Sequence, residues 1–178
     1  MGSKMITLRP FELSDSDIDA IMSWASDDRV TRFQRRDSYT HRDQALDFLS
    51  ARILPHPYYR AICLDGTVVG SISVSPCSGD GNERRASVGY RLAYDCWGKG
   101  ITTAAVRVAV AEAFEKWKEL ERVEAIADAE NVGSQRVLEK AGFRKEGLLR
   151  RYLVLKGEVR DMVMFSIVST DFLGGLIN

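Results

Sequence analysis

Gly98 and Gly100 bracket Lys99. They stand between an alternating apolar run that closes near Tyr94 and a helical period that starts at Ile101, with Thr102 and Thr103 in its first turn. Strand, glycine turn and helix, in that order, form a cradle for an anion. Glycine reaches backbone angles closed to other residues, so successive N–H groups can converge on one group of oxygens. The helix start adds unpaired N–H groups and the positive end of its dipole. Lys99 and the threonine hydroxyls would add a charge and two donors. The chemistry this suits is phosphate binding. Two common phosphate loops fail to account for it. A Walker A loop places a further glycine where this chain has Ala93, and Ser or Thr where it has Gly100; a dinucleotide fingerprint wants a third glycine where Thr103 stands. The same two glycines would also serve a plain strand-to-helix turn.

The elements that must position this turn follow in order. Ile6 to Pro10 alternates as a short strand. Ser14 with Asp17 opens a helix whose apolar face is Ile18, Ile21, Met22 and Ala25. Thr40 is placed to cap a second helix carrying Ala45, Phe48 and Leu49, which Pro55 and Pro57 end. The stretch between these helices, from Arg29 to Tyr39, reads as a loop. Tyr59 to Leu64 and Val68 to Ser75 read as a hairpin turned at Asp65-Gly66. Ser78 to Arg85 reads as a longer loop, and Ala86 to Tyr94 as the strand feeding the glycine turn. From Ile101, Val106, Val110, Ala113, Phe114, Trp117 and Leu120 recur at helical spacing. Arg122 to Ala127 is a buried strand. Asn131 caps a short helix that Gly142 ends, and Phe143 starts a final antiparallel pair. Strands paired first with each other and then joined through helices predict a mixed α/β fold, mostly antiparallel, with helices flanking the sheet.

Composition narrows the partners. The chain has 178 residues, with Lys plus Arg and Asp plus Glu at 25 each, so its overall charge argues for neither nucleic acid nor an anionic membrane. Its length suits one domain over 1–178. Cys63, Cys77 and Cys96 lack metal-ligand spacing and suit a reducing compartment as free thiols, so no metal is expected. No apolar run approaches a membrane span, and no basic-then-apolar leader precedes Ile6. These features predict a cytoplasmic protein, with nuclear access open.

Several blocks carry a resemblance. Arg91 to Ala105, around Trp97-Gly98-Lys99-Gly100, is similar to the acetyl-coenzyme A pyrophosphate loop of the GNAT superfamily of N-acetyltransferases. Asn131-Val-Gly-Ser134, followed by Glu139-Lys140-Ala141-Gly142-Phe143 and Glu146-Gly147, resembles the RimJ/RimL-type ribosomal-protein N-acetyltransferase branch. Leu149-Arg150, Lys156-Gly157 and Asp161 match that branch's closing hairpin.

The resemblance implies a GNAT fold with splayed central strands, acetyl-CoA as cosubstrate, and transfer of acetyl to an amine by direct attack. The acceptor it favours is a protein or peptide α-amine. A small amine (polyamine, amino sugar or antibiotic) and a non-catalytic CoA-binding role are the alternatives, and the assembly would be a monomer or homodimer. The strand before the turn would bulge, and main-chain groups of Leu92, Ala93 and Tyr94 would hold the pantetheine arm, Leu92 facing the thioester carbonyl. Residues Trp97, Gly98, Lys99, Gly100, Ile101, Thr102 and Thr103 would surround the pyrophosphate, with Trp97 lining the cofactor or simply packing. Asn131 and Ser134, one helical turn apart, would lie against the coenzyme, with Ser134 as general acid; Leu138 holds the place where many relatives carry a tyrosine acid. Phe33, Arg35, Arg36, Tyr39 and Tyr152 would border the acceptor, or pack on the core. The glutamate often found two residues before Gly89-Tyr90 is Ser87 here, leaving Glu83, Asp128, Glu158 and Asp161 as candidate bases. Cys96 lacks a nearby histidine in sequence, since His41 and His56 lie far upstream, which argues against an acetyl-cysteine intermediate.

Overall fold

The computed structural model describes residues 5–79 and 83–171. Seven strands form one sheet in the order β1-β2-β3-β4-β5-β7-β6. They are β1 (Ile6–Pro10), β2 (Tyr59–Leu64), β3 (Thr67–Pro76), β4 (Arg85–Leu92), β5 (Arg122–Asp128), β6 (Arg144–Leu155) and β7 (Glu158–Val168). Every neighbouring pair is antiparallel except β4 with β5. The mixed, mostly antiparallel sheet predicted from the sequence is therefore the observed one. Asp65 and Gly66, with φ of 50° and 84°, turn β2 into β3, and Lys156 and Gly157, with φ of 49° and 83°, turn β6 into β7. Two left-handed residues in succession match the right-handed twist of the strands they join.

Helices cover both faces. On one lie α1 (Asp15–Ala25), the single-turn α2 (Asp28–Thr31) and α3 (Arg42–Phe48), continued by a π-turn over Leu49–Ile53. Ile18, Ile21, Trp24, Ala45 and Leu49 bury here against Tyr59, Ala61 and Cys63. On the other lie α4 (Ile101–Lys116) and α5 (Val132–Ala141). Ala105, Val106, Ala109, Val110 and Ala113 of α4 close over Ile62, Ile72, Val74, Val88 and Val123. Small residues at three of those helix positions bring α4 close to the sheet.

Local chemistry sets the helix ends. Ser14 Oγ accepts the Asp17 N–H at 3.2 Å, as the sequence implies. The cap of α3 is His41 rather than Thr40. Gln44 Oε1 accepts both the Thr40 and His41 N–H groups, at 2.8 and 3.0 Å, and so fixes the start one residue later. α2 falls in the stretch read as loop; Asp27 Oδ1 accepts the Arg29 N–H at 2.9 Å and nucleates one turn. α4 stops at Lys116, with Trp117 as its cap, short of the Leu120 implied by the apolar spacing. Gly142, at φ 102°, ends α5 as expected. Part of the predicted loop from Ser78 to Arg85 lies outside the described residues.

Candidate active site

β4 and β5 are paired at three positions only, Arg85 with Arg122, Ala86 with Val123 and Ser87 with Glu124. Beyond them both strands continue without pairing each other, and a wedge opens toward their C-terminal ends. The strand before the glycine turn carries no bulge, contrary to expectation: β3 and β4 stay in unbroken register from Pro76 with Ala86 to Gly70 with Leu92. The parting therefore comes from divergence of two regular strands. Gly70 permits the tight pairing on the β3 side, since a Cβ there would stand 2.3 Å from the Arg91 carbonyl oxygen.

The ladders decide which amides face the wedge. Ala93 N–H donates to Val69 O and Cys77 N–H to Arg85 O, each at 2.8 Å, so the odd-numbered residues of β4 bond to β3. The even-numbered ones point the other way, and past Ala86 that leaves Val88, Tyr90 and Leu92 lining the wedge. On the far lip, Ala129 N–H donates to Asp161 O and Ser169 N–H to Glu121 O, each at 2.9 Å. By the same alternation Ile126 and Asp128 face inward. Of the main-chain groups expected to bind there, Leu92 is at the wedge, whereas Ala93 is bonded to β3. Tyr94 belongs to a 3₁₀ turn over Tyr94–Cys96, so the strand ends at Leu92, short of Tyr94.

Trp97 shows what sets this corner. Its Nε1–H donates to Leu92 O at 2.8 Å, and its ring lies 5.0 Å from that of Tyr94. The indole remains 44% exposed, so it is a clamp on the strand end rather than a core side chain. Gly98 and Gly100 follow with φ of 72° and 76°. Gly100 caps α4 with no side-chain bond, and the helix ladder begins with Ala104 N–H to Gly100 O at 3.1 Å. The first-turn N–H groups of Ile101, Thr102 and Thr103 thus have no side-chain cap. Two left-handed glycines before an uncapped sixteen-residue helix fit a group bearing adjacent phosphates. Lys99 Nζ folds back onto Asp95 O at 2.5 Å, and Thr102 is buried.

Across the wedge, Asn131 Oδ1 accepts the Ser134 N–H at 3.1 Å and caps α5. Ser134 Oγ pairs with the Tyr90 hydroxyl at 2.8 Å, and the same hydroxyl donates to Ser134 O at 3.2 Å. Burial pushes the Tyr90 phenol up to about 12, its bond to Ser134 pulling it back in part. Tyr90 was not singled out from the sequence. The alternation of Val88, Tyr90 and Leu92 is the signal that points its ring at the helix carrying Ser134.

The opposite face of β4 presents Ser87, Gly89 and Arg91, the first two exposed. The connection from α2 to α3 passes over this face, tied by Arg32 to Glu130 at 3.9 Å and by Asp37 to Lys156 at 3.7 Å. Phe33 is half-buried under Arg32, whose Cζ lies 5.0 Å from the ring centroid. Arg35 is exposed. Tyr39 is anchored, its N–H on Ala25 O at 2.8 Å and its ring 6.4 Å from Phe48. Tyr152 lies in an open cleft of about 630 Å³ on the β6–β7 hairpin, shared with Leu148, Arg150 and Asp161. Asp161 accepts the N–H of Arg151, whose φ is 51°, at 2.7 Å and pins an interruption of the ladder between Leu149 and Leu153.

The candidate bases are occupied or displaced. Burial alone would raise Asp128, but hydrogen bonds from Arg160 at 2.8 and 3.0 Å and from the Glu130 N–H at 2.8 Å outweigh it and hold it below the ordinary carboxylate range. Glu158 pairs with Arg160, and Asp161 with the Arg151 amide. Glu83 is exposed ahead of β4, at the closed end of the wedge. Glu124, the register partner of Ser87, is held by Arg122 at 3.0 Å. Cys96 sits half-buried in the 3₁₀ turn, while His41 caps α3 and His56 bonds Ser75 Oγ at 2.9 Å. Among the described residues no group of three or more His, Cys, Asp or Glu side chains could hold a metal ion.

Comparison with known proteins agrees with this architecture. A family described as the acetyltransferase (GNAT) domain matches residues 5–144. The uncharacterized N-acetyltransferase p20 of Bacillus licheniformis is 31% identical over 178 residues, covering 97% of each chain. The [ribosomal protein uS5]-alanine N-acetyltransferase of Escherichia coli is 28% identical over 88 residues, 49% of this chain and 45% of that one. Among solved structures, Mycobacterium smegmatis RimJ in complex with CoA-disulfide superposes with a TM-score of 0.76 at 28% identity, over 93% of this chain and 83% of the other.

Proposed function

Because this chain belongs to the GNAT acetyltransferase family, we propose that it transfers acetyl from acetyl-CoA to the α-amine of a protein or peptide by direct attack, acting in the cytoplasm. The observation that carries this is the wedge. The β4–β5 ladder stops at Ser87 and Glu124, leaving strand amides free beside a glycine turn and an uncapped helix start. RimJ, 28% identical, is a CoA complex, and the uS5-alanine enzyme is named for acetylating a ribosomal protein.

Acetyl-CoA brings an activated acyl group with a good leaving thiolate; the chain holds and orients it. The amides from Gly98 to Thr103 receive the pyrophosphate, and the inward edges of Val88, Tyr90 and Leu92 accept the pantetheine arm as a further strand would be accepted. Leu92 N–H is aimed at the thioester carbonyl oxygen; removing a donor of this kind costs about 10²–10³ in rate. Trp97 fixes that residue by holding its carbonyl. Ser134, hydrogen-bonded to Tyr90, supplies the proton for the departing sulfur. Amine and acyl carbon meet beside Leu92, where the wedge is open past the last β4–β5 rung at Ser87.

The acceptor class follows from the missing base. An α-amine of pKa ~7.8 is about one-seventh deprotonated at pH 7, whereas lysine at ~10.4 is deprotonated in about one part in 2500. With serine at position 87 and its neighbour Glu124 engaged by Arg122, an α-amine is the acceptor that solvent can deprotonate. Thiol release with N-terminal peptides, spermidine and lysine peptides tests this. Peptide α-amines are expected to be the better substrates, and preference for the other two would overturn the reading.

A further inference from the structure

On the acceptor face, an open cleft of about 480 Å³ lies between the α3 end of the chain and the sheet, walled by Phe48, Arg52 and His56 and floored by Tyr59, Ser75 and Arg91. Its volume is in the range of small-ligand sites. Ser73 and Ser75, on β3 beneath it, are the register partners of Gly89 and Ser87, the two exposed residues where β4 begins to part from β5. Arg91, on its floor, precedes Leu92 in β4, so the cleft adjoins the point where an acceptor amine would meet the thioester.

Its charge is one-sided. Arg91 donates Nε–H to Gln34 Oε1 at 3.1 Å and Nη1–H to the Tyr59 hydroxyl at 2.5 Å. Arg36 donates Nε–H to the same Gln34 oxygen at 3.2 Å and bonds the Tyr39 hydroxyl. The two guanidinium groups therefore stand side by side, both over Phe48, with Cζ atoms 4.7 and 5.5 Å from its centroid. All these acceptors are neutral. Arg36, Arg52 and Arg91 form no ion pair among the described residues. Elsewhere Arg9 pairs with Asp17, Arg122 with Glu124 and Glu146, and Arg160 with Asp128. Burial and the adjacent Arg91 charge hold the Arg36 guanidinium below its ordinary range. Two buried side-chain polar atoms lack a partner among the described residues, Arg36 Nη2 and Ser71 Oγ, and Ser71 is the register partner of Arg91. A like-charged pair without a counter-ion is costly in a partly buried site, and a carboxylate removes that cost.

We propose that this cleft receives a carboxylate carried by the acceptor, with Arg91 as its hydrogen-bonding contact and Arg36 and Arg52 supplying the surrounding positive field. Resting on the reading of the protein as a peptide α-amine acetyltransferase, this makes the substrate class an N-terminus with acidic side chains in its first few positions. The same field repels polyamines and lysine-rich termini.

The test is steady-state kinetics with acetyl-CoA and three matched peptides, Ser-Glu-Glu-Ala-Ala, Ser-Gln-Gln-Ala-Ala and Ser-Lys-Lys-Ala-Ala, all with amidated C-termini. The acidic peptide is expected to exceed the glutamine peptide in kcat/KM roughly 10- to 100-fold, the range of one or two charge-assisted hydrogen bonds, chiefly through KM. Arg91→Gln should abolish that advantage while leaving the glutamine peptide's kcat within about threefold. Arg36→Gln should reduce it in part. If either glutamine variant fails to fold, Arg91→Lys, which keeps charge but loses the planar fork, should still lose most of the advantage. Equal kcat/KM for acidic and neutral peptides, or an advantage untouched by Arg91→Gln or Arg91→Lys, would overturn the inference while peptide turnover leaves the functional reading intact. If no peptide is acetylated, the peptide reading fails, and glutamate α-amide against glutamine α-amide, which differ only in the side-chain carboxylate, decides the rest. A preference for glutamate that disappears with Arg91 upholds the carboxylate site; no preference, or no turnover, sinks it.

Discussion

Gly98→Ala and Gly100→Ala separate a phosphate cradle from a plain turn. Both glycines lie at φ above 70°, and a Cβ added at either meets nothing within 4 Å. The substitutions therefore act through backbone angle alone, at about 1–2 kcal/mol each for a side chain held in the left-handed region. The turn is exposed from Trp97 to Gly100. It can release that strain by rearranging in the free protein, and must pay it back when N–H groups have to converge on the diphosphate. Each variant should accordingly bind acetyl-CoA about 5- to 30-fold more weakly, since 1.4 kcal/mol is a factor of ten. The free protein's Tm should move by less than the roughly 2–4 °C per kcal/mol expected if the strain stayed in the fold. Isothermal titration with CoA, alongside thermal unfolding of the free and liganded protein, measures both. A Kd within about twofold of the parent for both variants would refute the reasoning and leave the glycines as turn formers.

Tyr90→Phe removes the hydroxyl bonded to Ser134; kcat should fall roughly 10-fold and stability by ~1 kcal/mol, and the double variant with Ser134→Ala should fall no further than the worse single one, as kinetics on the three proteins will show. Because that phenol is pushed up to about 12, the pH profile of the Phe variant between pH 6 and 9 should keep its shape. Trp97→Phe keeps a ring but frees the Leu92 carbonyl, so kcat/KM for acetyl-CoA should drop about 3- to 10-fold with the sheet intact by circular dichroism. Asp17 is nearly sealed from solvent; burial on its own would raise its carboxyl, yet hydrogen bonds from Arg9 and the Glu12 N–H and the Arg9 charge hold it below the ordinary range, and Asp128 behaves alike. A depressed folded-state pKa contributes stability that is whole above the unfolded value of ~3.9 and is lost as pH falls through the folded one, so urea midpoints should decline steeply below about pH 4, less so in Asp17→Asn.

The sheet and most helices were legible because their signals are local. Alternation over Ile6 to Pro10, the β-rich runs on either side of the Asp65-Gly66 turn, Ser14 ahead of α1 and Gly142 after α5 all act within a few residues. The errors arose where a more distant group decides. Gln44 moves the α3 cap from Thr40 to His41 by taking both amides at once. The strand before the glycine turn ends at Leu92 because Trp97, five residues later, holds its carbonyl and the chain turns into a 3₁₀ segment. The expected bulge is absent because β3 keeps β4 straight through the close approach at Gly70. The pairing of Tyr90 with Ser134 and the Arg36–Gln34–Arg91 group join residues 44 and up to 57 positions apart, separations at which one chain's pattern carries no signal.

The three-rung join between β4 and β5 has a mechanical meaning. The sheet is two part-sheets, β1 to β4 beneath α4 and β5 to β7 beneath α5, with the two helices packed against each other on one side. The second apolar cluster belongs wholly to the first part-sheet. Past its third rung the seam has no strand pairing of its own, so a molecule seated in the wedge would act as a keystone between the two blocks. The protein would then be most rigid in the loaded state and would loosen as it lets its spent carrier go.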